Sequence, residues 1–249
     1  MTERLSKDTL LKLRRYNSPT IYNGWEQITK QDVTKGNFNL DEVKDFMPQL
    51  GPMVGYAVTL VIEPSNIEHK KHKVERLREY RKYIASVPGP KIVVVKDLDK
   101  VHVGSFWGEV NATIHRSLGC VGTIVDGAVR DVDEMAQAGL KALAKRLCVG
   151  HAHVTPIDWN CEVEVFGCKI KPGELIHADQ HGFLTIPQED EGRLLEAAEF
   201  MDQNEMNTVI PSAWNTAGKS TEEILAEIER GGEKFRSAMR SKFQKDGEW

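Results

Sequence analysis

The sequence predicts an α/β protein, with a β/α core over roughly residues 50–188 and helical segments before and after it. Three observations carry that reading. Runs rich in β-branched residues at 54–62 and 91–96 read as buried strands, and helical stretches at 73–85 and 109–118 alternate with them. Short β-like runs follow up to residue 187. From about 189 the texture becomes helical and charged. Strand and helix signals in alternation are the pattern of a sheet covered by helices.

Taken in order, Leu5, Leu10, Leu11 and Leu13 recur among charges, the spacing of an amphipathic helix over 5–16. Ser18-Pro19-Thr20 breaks it, and Ile21 to Ile28 begins either a second helix or a loop. Residues 30–50 are polar and give no assignment. Gly51-Pro52 is a turn before the strand Val54 to Ile62. Val87-Pro88-Gly89-Pro90 separates the helix at 73–85 from a strand at Lys91 to Lys96. A glycine-bounded loop, Gly104 to Gly108, precedes the helix at 109–118, and Ile124 and Val125 close the next strand. Met135, Ala138, Leu140 and Leu143 give a helix over 132–146. Short β runs are expected at 147–154, 161–166, 174–177 and 182–187, with a turn at Pro172-Gly173. Residues 190–203 are helical. Ser220-Thr221-Glu222-Glu223 is a capping box that opens a helix to about Phe243. No internal repeat or low-complexity linker is present, so one α/β domain with helical extensions is favoured over two domains.

The composition narrows the function. The chain has 249 residues, 40% hydrophobic and 28% charged, an ordinary globular profile. A net charge of −4 argues against a nucleic-acid partner, which needs a basic face. The cluster His69-Lys70-Lys71-His72-Lys73 is short and soon followed by Glu75 and Glu79, as in a solvated turn. No run is long enough to span a membrane. The charged N-terminus lacks a secretory apolar core. Cys120, Cys148, Cys161 and Cys168 form no C-x-x-C pair, which suits buried reduced thiols in a cytoplasmic protein.

The chemistry gathers at GCVGTIVDGAVRDVDE, residues 119–134. The apolar run Val121 to Val125 ends at an Asp126-Gly127 turn, and Arg130-Asp131 then presents a cation beside an anion. Asp131 can hold a hard metal ion through oxygen. Arg130 can fork onto a carboxylate or an enolate oxygen. A surface ion pair after a buried strand explains the same residues equally well. In the 104–108 loop the glycines let backbone N–H groups approach a ligand, and the following helix adds a positive dipole; a plain loop is the alternative. Glu109 opens that helix, and 20 residues separate it from Arg130-Asp131. A helix that returns to the adjacent strand would bring the three together at the carboxyl ends of the sheet.

These residues are the ones through which the chain resembles the RraA-like family, which includes divalent-metal-dependent 4-hydroxy-4-methyl-2-oxoglutarate aldolases. The matching pieces are VGYAVTL (54–60), GSFWGEVNATIHRSLGCVGTIVDGAVRD (104–131) and PGELIHADQHGFLTIP (172–187). An acidic residue, 20 residues, then Arg-Asp marks the family's catalytic branch; the regulatory branch, which binds ribonuclease E, lacks the Asp after the Arg. The resemblance implies a swivelling β/β/α sandwich, with residues 1–188 as the RraA-like domain including its N-terminal helices, and 189–249 as a C-terminal helical extension. It implies that Asp131 ligates Mg²⁺ or Mn²⁺ and that Glu109, where the aldolases carry Asp, holds a metal-bound water. Arg130 would bind the 2-oxo acid and stabilise its enolate. The backbone of Gly104, Ser105, Phe106, Trp107 and Gly108 would receive the carboxylate. A further carboxylate would come from a neighbouring subunit of a homotrimer or homohexamer, with Glu196, Glu199 and Glu205 as candidates and Trp214 as an anchor between subunits.

The implied activity is that of a metal-dependent (class II) aldolase, a lyase that cleaves a C–C bond in a 4-hydroxy-2-oxo acid through a pyruvate enolate. Oxaloacetate decarboxylase activity is expected beside it. No side chain in the signature is an obvious base for the substrate hydroxyl, so water is expected in that role. Three other readings stand, the first being an RraA-like enzyme that acts on a different small organic acid. Lys96, at a strand end, could form a Schiff base. Alternatively the protein is a non-catalytic regulator that binds a nuclease or helicase. Among the remaining residues, His151 and His153 alternate on an expected strand and so face one side. His177 and His181 read as surface turn residues around Asp179, which caps its own turn. Asp126 reads as structural, and His115 as either packing or site.

Overall fold

The computed structural model describes residues 4–214 and 216–249. The chain divides into two compact units, one of residues up to Ser18 with Asp32–Gln188, the other of Pro19–Gln31 with Glu189–Trp249. Helix α1 (Lys7–Leu13) belongs to the larger unit, capped by the Ser6 hydroxyl accepting from Thr9 N. Helix α2 (Ser18–Ile28) belongs, after its first residue, to the smaller unit.

The larger unit continues through β1 (Lys44–Asp45), β2 (Met53–Ile62), α3 (Lys73–Ser86), β3 (Lys91–Asp97), α4 (Glu109–Ser117), β4 (Cys120–Val129), α5 (Val132–Gln137) and β5 (Lys141–Leu147). Then come β6 (Pro156–Trp159), β7 (Val163–Val165), β8 (Cys168–Ile170), β9 (Leu175–Asp179) and β10 (Gly182–Ile186). The main sheet has the order β1-β5-β4-β3-β2-β9-β10, with β6 also paired to β2. Strands β2 to β5 run parallel. Each parallel step is made through one helix, α3, α4 or α5, because a parallel return needs a crossover.

Strand β3 shows why the sequence reads as it does. Val93 and Val95 pack in one cluster with Tyr80, Ile84, Ala112 and Met135 from the three crossover helices. Ile92 and Val94 pack in another, with Val163, Val165 and Ile170 of the β7–β8 hairpin. Side chains alternate across a strand, so a strand covered on both faces is apolar throughout. A helix layer, the main sheet and a small second sheet make the β/β/α sandwich that the resemblance implies.

Three local expectations are corrected. Strand β4 does not stop at Asp126-Gly127. It runs to Val129, and its pairing with β5 is interrupted by an irregularity between Val125 and Ala128. The helix expected over 132–146 ends at Gln137. Gly139 then takes φ +76°, and Lys141–Leu147 becomes a strand. A left-handed glycine ends the helix, and parallel pairing of 122–125 with 141–144 outweighs the helical spacing of Leu140 and Leu143. Finally, His151 and His153 lie in a loop, not on a strand. Ala152 between them has φ +44°, which breaks the alternation.

In the smaller unit α2 packs on α6 (Gln188–Asn207). A Cβ on Gly24 would sit 2.5 Å from Ala198 N, so only glycine lets the helices come this close. The Trp25 indole donates to Asp190 Oδ2 at 3.0 Å. Residues 19–31, grouped with the core in the sequence reading, therefore associate with the C-terminal helices. Helix α7 (Val209–Trp214) and α8 (Thr221–Phe243) follow, and α8 carries the expected capping box between Ser220 and Glu223. Among the described residues no helix is long and apolar enough to cross a membrane.

Candidate active site

Two clefts open at opposite ends of the parallel strands. One, of about 600 Å³, lies where strands begin, beside Tyr56, Val121 and Lys141. Of its three guanidinium groups, those of Arg4 and Arg14 donate to the backbone carbonyls of Pro88, Pro52 and Leu50, and that of Arg116 donates to Cys120 O. The other, of about 790 Å³, lies at the carboxyl ends of β3, β4 and β5, where parallel sheets place their ligands. His102, Arg130, Asp131, Arg146, Cys148 and Val149 line it.

Arg130 and Asp131 leave the end of β4 together. Asp131 has φ 54° and ψ 45°, a left-handed conformation that Asp and Asn tolerate better than other non-glycine residues. It stands at the N-cap of α5 without capping that helix. The side chain turns instead toward α4, where its Oδ2 accepts from Glu109 N at 3.2 Å. Arg130 Nε lies 3.8 Å from the same oxygen, and both side chains are 36% exposed. Arg130 Nη1 donates to Val149 O at 3.3 Å. Asp131 Oδ1 has no hydrogen-bond partner among the described residues.

Gly108 makes room for the pair. A Cβ there would lie 2.6 Å from Asp131 Oδ2 and 3.3 Å from Arg130 Nε. Its φ of 174° is extended backbone that any residue adopts, so the requirement is space alone. A Gly108→Ala variant is expected to keep its thermal midpoint and to lose about 100-fold in any turnover that uses the pair, the cost of displacing a working group by about an ångström. Unchanged turnover would show that the pair needs no such seat.

The rest of the 104–108 loop lies behind the cleft. Ser105 N donates to Gly150 O at 3.0 Å. Ser105 Oγ donates to Trp107 O at 2.7 Å and accepts from Trp107 N at 2.9 Å. Phe106 and Trp107 are buried in the helix-side core. Gly104 closes on His151, whose carbonyl oxygen a Cβ would meet at 2.7 Å. Glu109 is exposed at the start of α4 and meets Asp131 through its backbone. Among the described residues no three His, Cys, Asp or Glu side chains cluster to hold a metal. The donor set at the cleft, one carboxylate with a free oxygen, suits a hard cation that keeps most of its water, as Mg²⁺ does.

Several other candidates have structural partners. His177 is 1% exposed in β9, against the Ser18 hydroxyl at 2.9 Å, and is not the surface turn residue expected. Burial lowers its pKa to about 4. Asp179 does hold its own turn by accepting from His181 N at 2.8 Å, and it also accepts from Ser18 N at 2.8 Å. His115 Nδ1 donates to Asn111 O at 2.6 Å and its Nε2 accepts from the Tyr80 hydroxyl at 3.1 Å; burial lowers this histidine to about 4 as well. Lys96 pairs with Asp126 at 2.7 Å, and Lys145 approaches the same carboxylate at 3.6 Å. Glu196 pairs with Lys242, and Glu205 accepts from Asn23 at 3.3 Å.

Sequence reasoning missed two parts of this cleft. His102 Nδ1 is bonded to Asp97 Oδ2 at 3.0 Å. An Asp at a strand end with a His five residues on was the available signal. Arg146 was hidden because its strand reads as a helix. The parallel register of β3, β4 and β5 brings both to Arg130.

The fold and cleft together define the class, an α/β sandwich with an acid–guanidinium pair at the carboxyl ends of its parallel strands. The chain belongs to the RraA-like family, whose Aldolase/RraA model matches residues 23–185. It is 34% identical over 108 residues to a protein of Ectopseudomonas mendocina named "Putative 4-hydroxy-4-methyl-2-oxoglutarate aldolase". It is 28% identical over 109 residues to Protein DlpA of Legionella pneumophila. These matches take 41% and 43% of this chain and span 64% and 18% of the two relatives' lengths. The crystal structure of Streptomyces coelicolor RraAS2, described as an unusual member of the RNase ES inhibitor RraA protein family, superposes with a TM-score of 0.65 at 19% identity. That superposition covers 83% of this chain and 98% of RraAS2, and it shows a shared fold.

Proposed function

We propose that this protein is a divalent-metal-dependent lyase that cleaves the C–C bond next to a 2-oxo acid and releases pyruvate. The observation that carries the reading is the Arg130–Asp131 pair seated against Gly108 at the carboxyl ends of the strands. The name of the Ectopseudomonas relative points the same way.

Asp131 would hold Mg²⁺ or Mn²⁺, with Glu109 reaching it through water, and the ion when bound supplies Lewis acidity at the 2-oxo acid. Arg130 supplies fixed positive charge where the enolate oxygen develops. Arg146 adds a second guanidinium to the cleft, which suits a substrate with a second carboxylate. With a 4-hydroxy-2-oxo acid, the 4-hydroxyl loses its proton, the C3–C4 bond breaks, and its electron pair moves to the C2 carbonyl. Proton return to C3 gives pyruvate. With oxaloacetate, carbon dioxide leaves and the same enolate forms without a hydroxyl proton. We also infer a cytoplasmic homotrimer or homohexamer with sites between subunits. Glu199 has no hydrogen-bond or ion-pair partner among the described residues, which makes it the candidate for donation to a neighbour. Trp214, 75% exposed, is the candidate anchor.

A pyruvate-release screen across 4-hydroxy-2-oxo acids and oxaloacetate, with Mg²⁺, Mn²⁺ or EDTA, tests the activity. Metal-dependent pyruvate formation that EDTA abolishes is expected. No release from any substrate with either ion overturns the reading.

A further inference from the structure

We propose that His102 is the base that takes the proton from the substrate's 4-hydroxyl. The proposal rests on the lyase reading above and supplies the group that the Arg-Asp signature lacks.

His102 follows β3 and lines the same cleft as Arg130, Asp131 and Arg146. Its Nδ1 faces Asp97 Oδ2 at 3.0 Å, and the Asp97 side chain is fully buried while that of His102 is 10% exposed. The other carboxylate oxygen of Asp97 accepts from Asp99 N at 2.9 Å. A Cβ on Gly127, at the irregularity in β4, would lie 3.0 Å from Asp97 Cβ. The carboxylate is therefore locked on both sides, and it locks the imidazole. Nδ1–H donates to Asp97, so Nε2 carries the free lone pair. Nε2 has no hydrogen-bond partner among the described residues and is not sealed from solvent.

His115 supplies the contrast within the same molecule. Both of its ring nitrogens are engaged, by Asn111 O and the Tyr80 hydroxyl, as packing requires. A histidine oriented by a buried carboxylate on one side and open to a cleft on the other has the arrangement of a general base. The charged and titratable groups around it are Asp97 and Asp99 from its own segment, Arg130 and Asp131 from the end of β4, and Arg146 and Cys148 from the end of β5.

In the step proposed, Nε2 accepts the 4-hydroxyl proton as the C3–C4 bond breaks and its electron pair moves onto the C2 oxygen. The enolate takes its C3 proton from water, as it does in decarboxylation, and the imidazolium returns its own proton to water, which leaves the ring neutral and releases pyruvate. Oxaloacetate decarboxylation has no hydroxyl to deprotonate, so the two reactions separate this role from a structural one.

The test compares both reactions in wild type, His102→Asn and His102→Gln; the Asn side chain keeps a donor near the Nδ1 position for Asp97. Cleavage of the 4-hydroxy-2-oxo acid should fall about 100-fold or more in both variants. Decarboxylation should continue near the wild-type rate, which also reports that the cleft is intact. If cleavage and decarboxylation fall together, or neither changes, His102 is not the base. If wild type with Mg²⁺ or Mn²⁺ catalyses neither reaction, the lyase reading itself fails, and this assignment with it.

Discussion

On the lyase reading proposed above, replacing Asp131 with Asn should lower metal-dependent pyruvate release by about 10³-fold, the scale on which losing a principal electrostatic group in a site reduces turnover. Asn is the informative substitution because it tolerates the left-handed conformation at φ 54°. Its amide oxygen still accepts from Glu109 N, so α4 and α5 keep their junction. What disappears is the negative charge through which Asp131 would hold a hard cation. Ala would confound the result by losing the charge and straining the backbone together. The comparison requires kcat/KM for wild type and variant at saturating Mg²⁺, manganese binding followed by paramagnetic resonance, and the thermal midpoint of both. Turnover at the wild-type rate, or manganese bound equally by both, would remove Asp131 from the site.

The second large effect is acid lability. His115 and His177 are both buried neutral, with pKa values lowered to about 4 by burial. Unfolded, each returns to an ordinary value near 6.5. Between those values the unfolded chain binds protons that the folded chain refuses, so stability falls as pH falls. Each histidine contributes stability that is present above about pH 6.5 and lost as pH drops toward 4, about 3 kcal/mol in full and about 2 kcal/mol by pH 5. Urea titrations at pH 7.5 and pH 5 should show a drop of about 4 kcal/mol. A His177→Gln variant should show a shallower pH dependence than wild type, whatever its absolute stability. Equal wild-type stability at the two pH values would contradict the assignment of these rings as buried and neutral.

Much of the fold was legible because burial imposes a pattern. Strands covered on both faces read as apolar runs, which is why Val54 to Ile62 and Lys91 to Lys96 were recognisable. The capping box at Ser220 was legible because its hydrogen bonds are local. The strand at Lys141–Leu147 was not, because Met135, Ala138, Leu140 and Leu143 satisfy a helical spacing as well, and only pairing with β4 decides between the two. His177 was misjudged for a related reason. A histidine beside Asp179 and a glycine turn reads as exposed, and the N-terminal segment that covers it lies some 160 residues away, with Ser18 bonded to both residues.

The site divides along the same line. By itself the sequence determined the acid–guanidinium pair and the glycine before Glu109, since these are neighbours in the chain whose residue types declare their chemistry. Tertiary structure alone decided that Gly108 seats that pair, that Ser105, Phe106 and Trp107 lie behind the cleft, and that His102 and Arg146 join it. Those relations depend on the parallel register of three strands, and register is a property of hydrogen bonds between distant segments that no single stretch of sequence encodes.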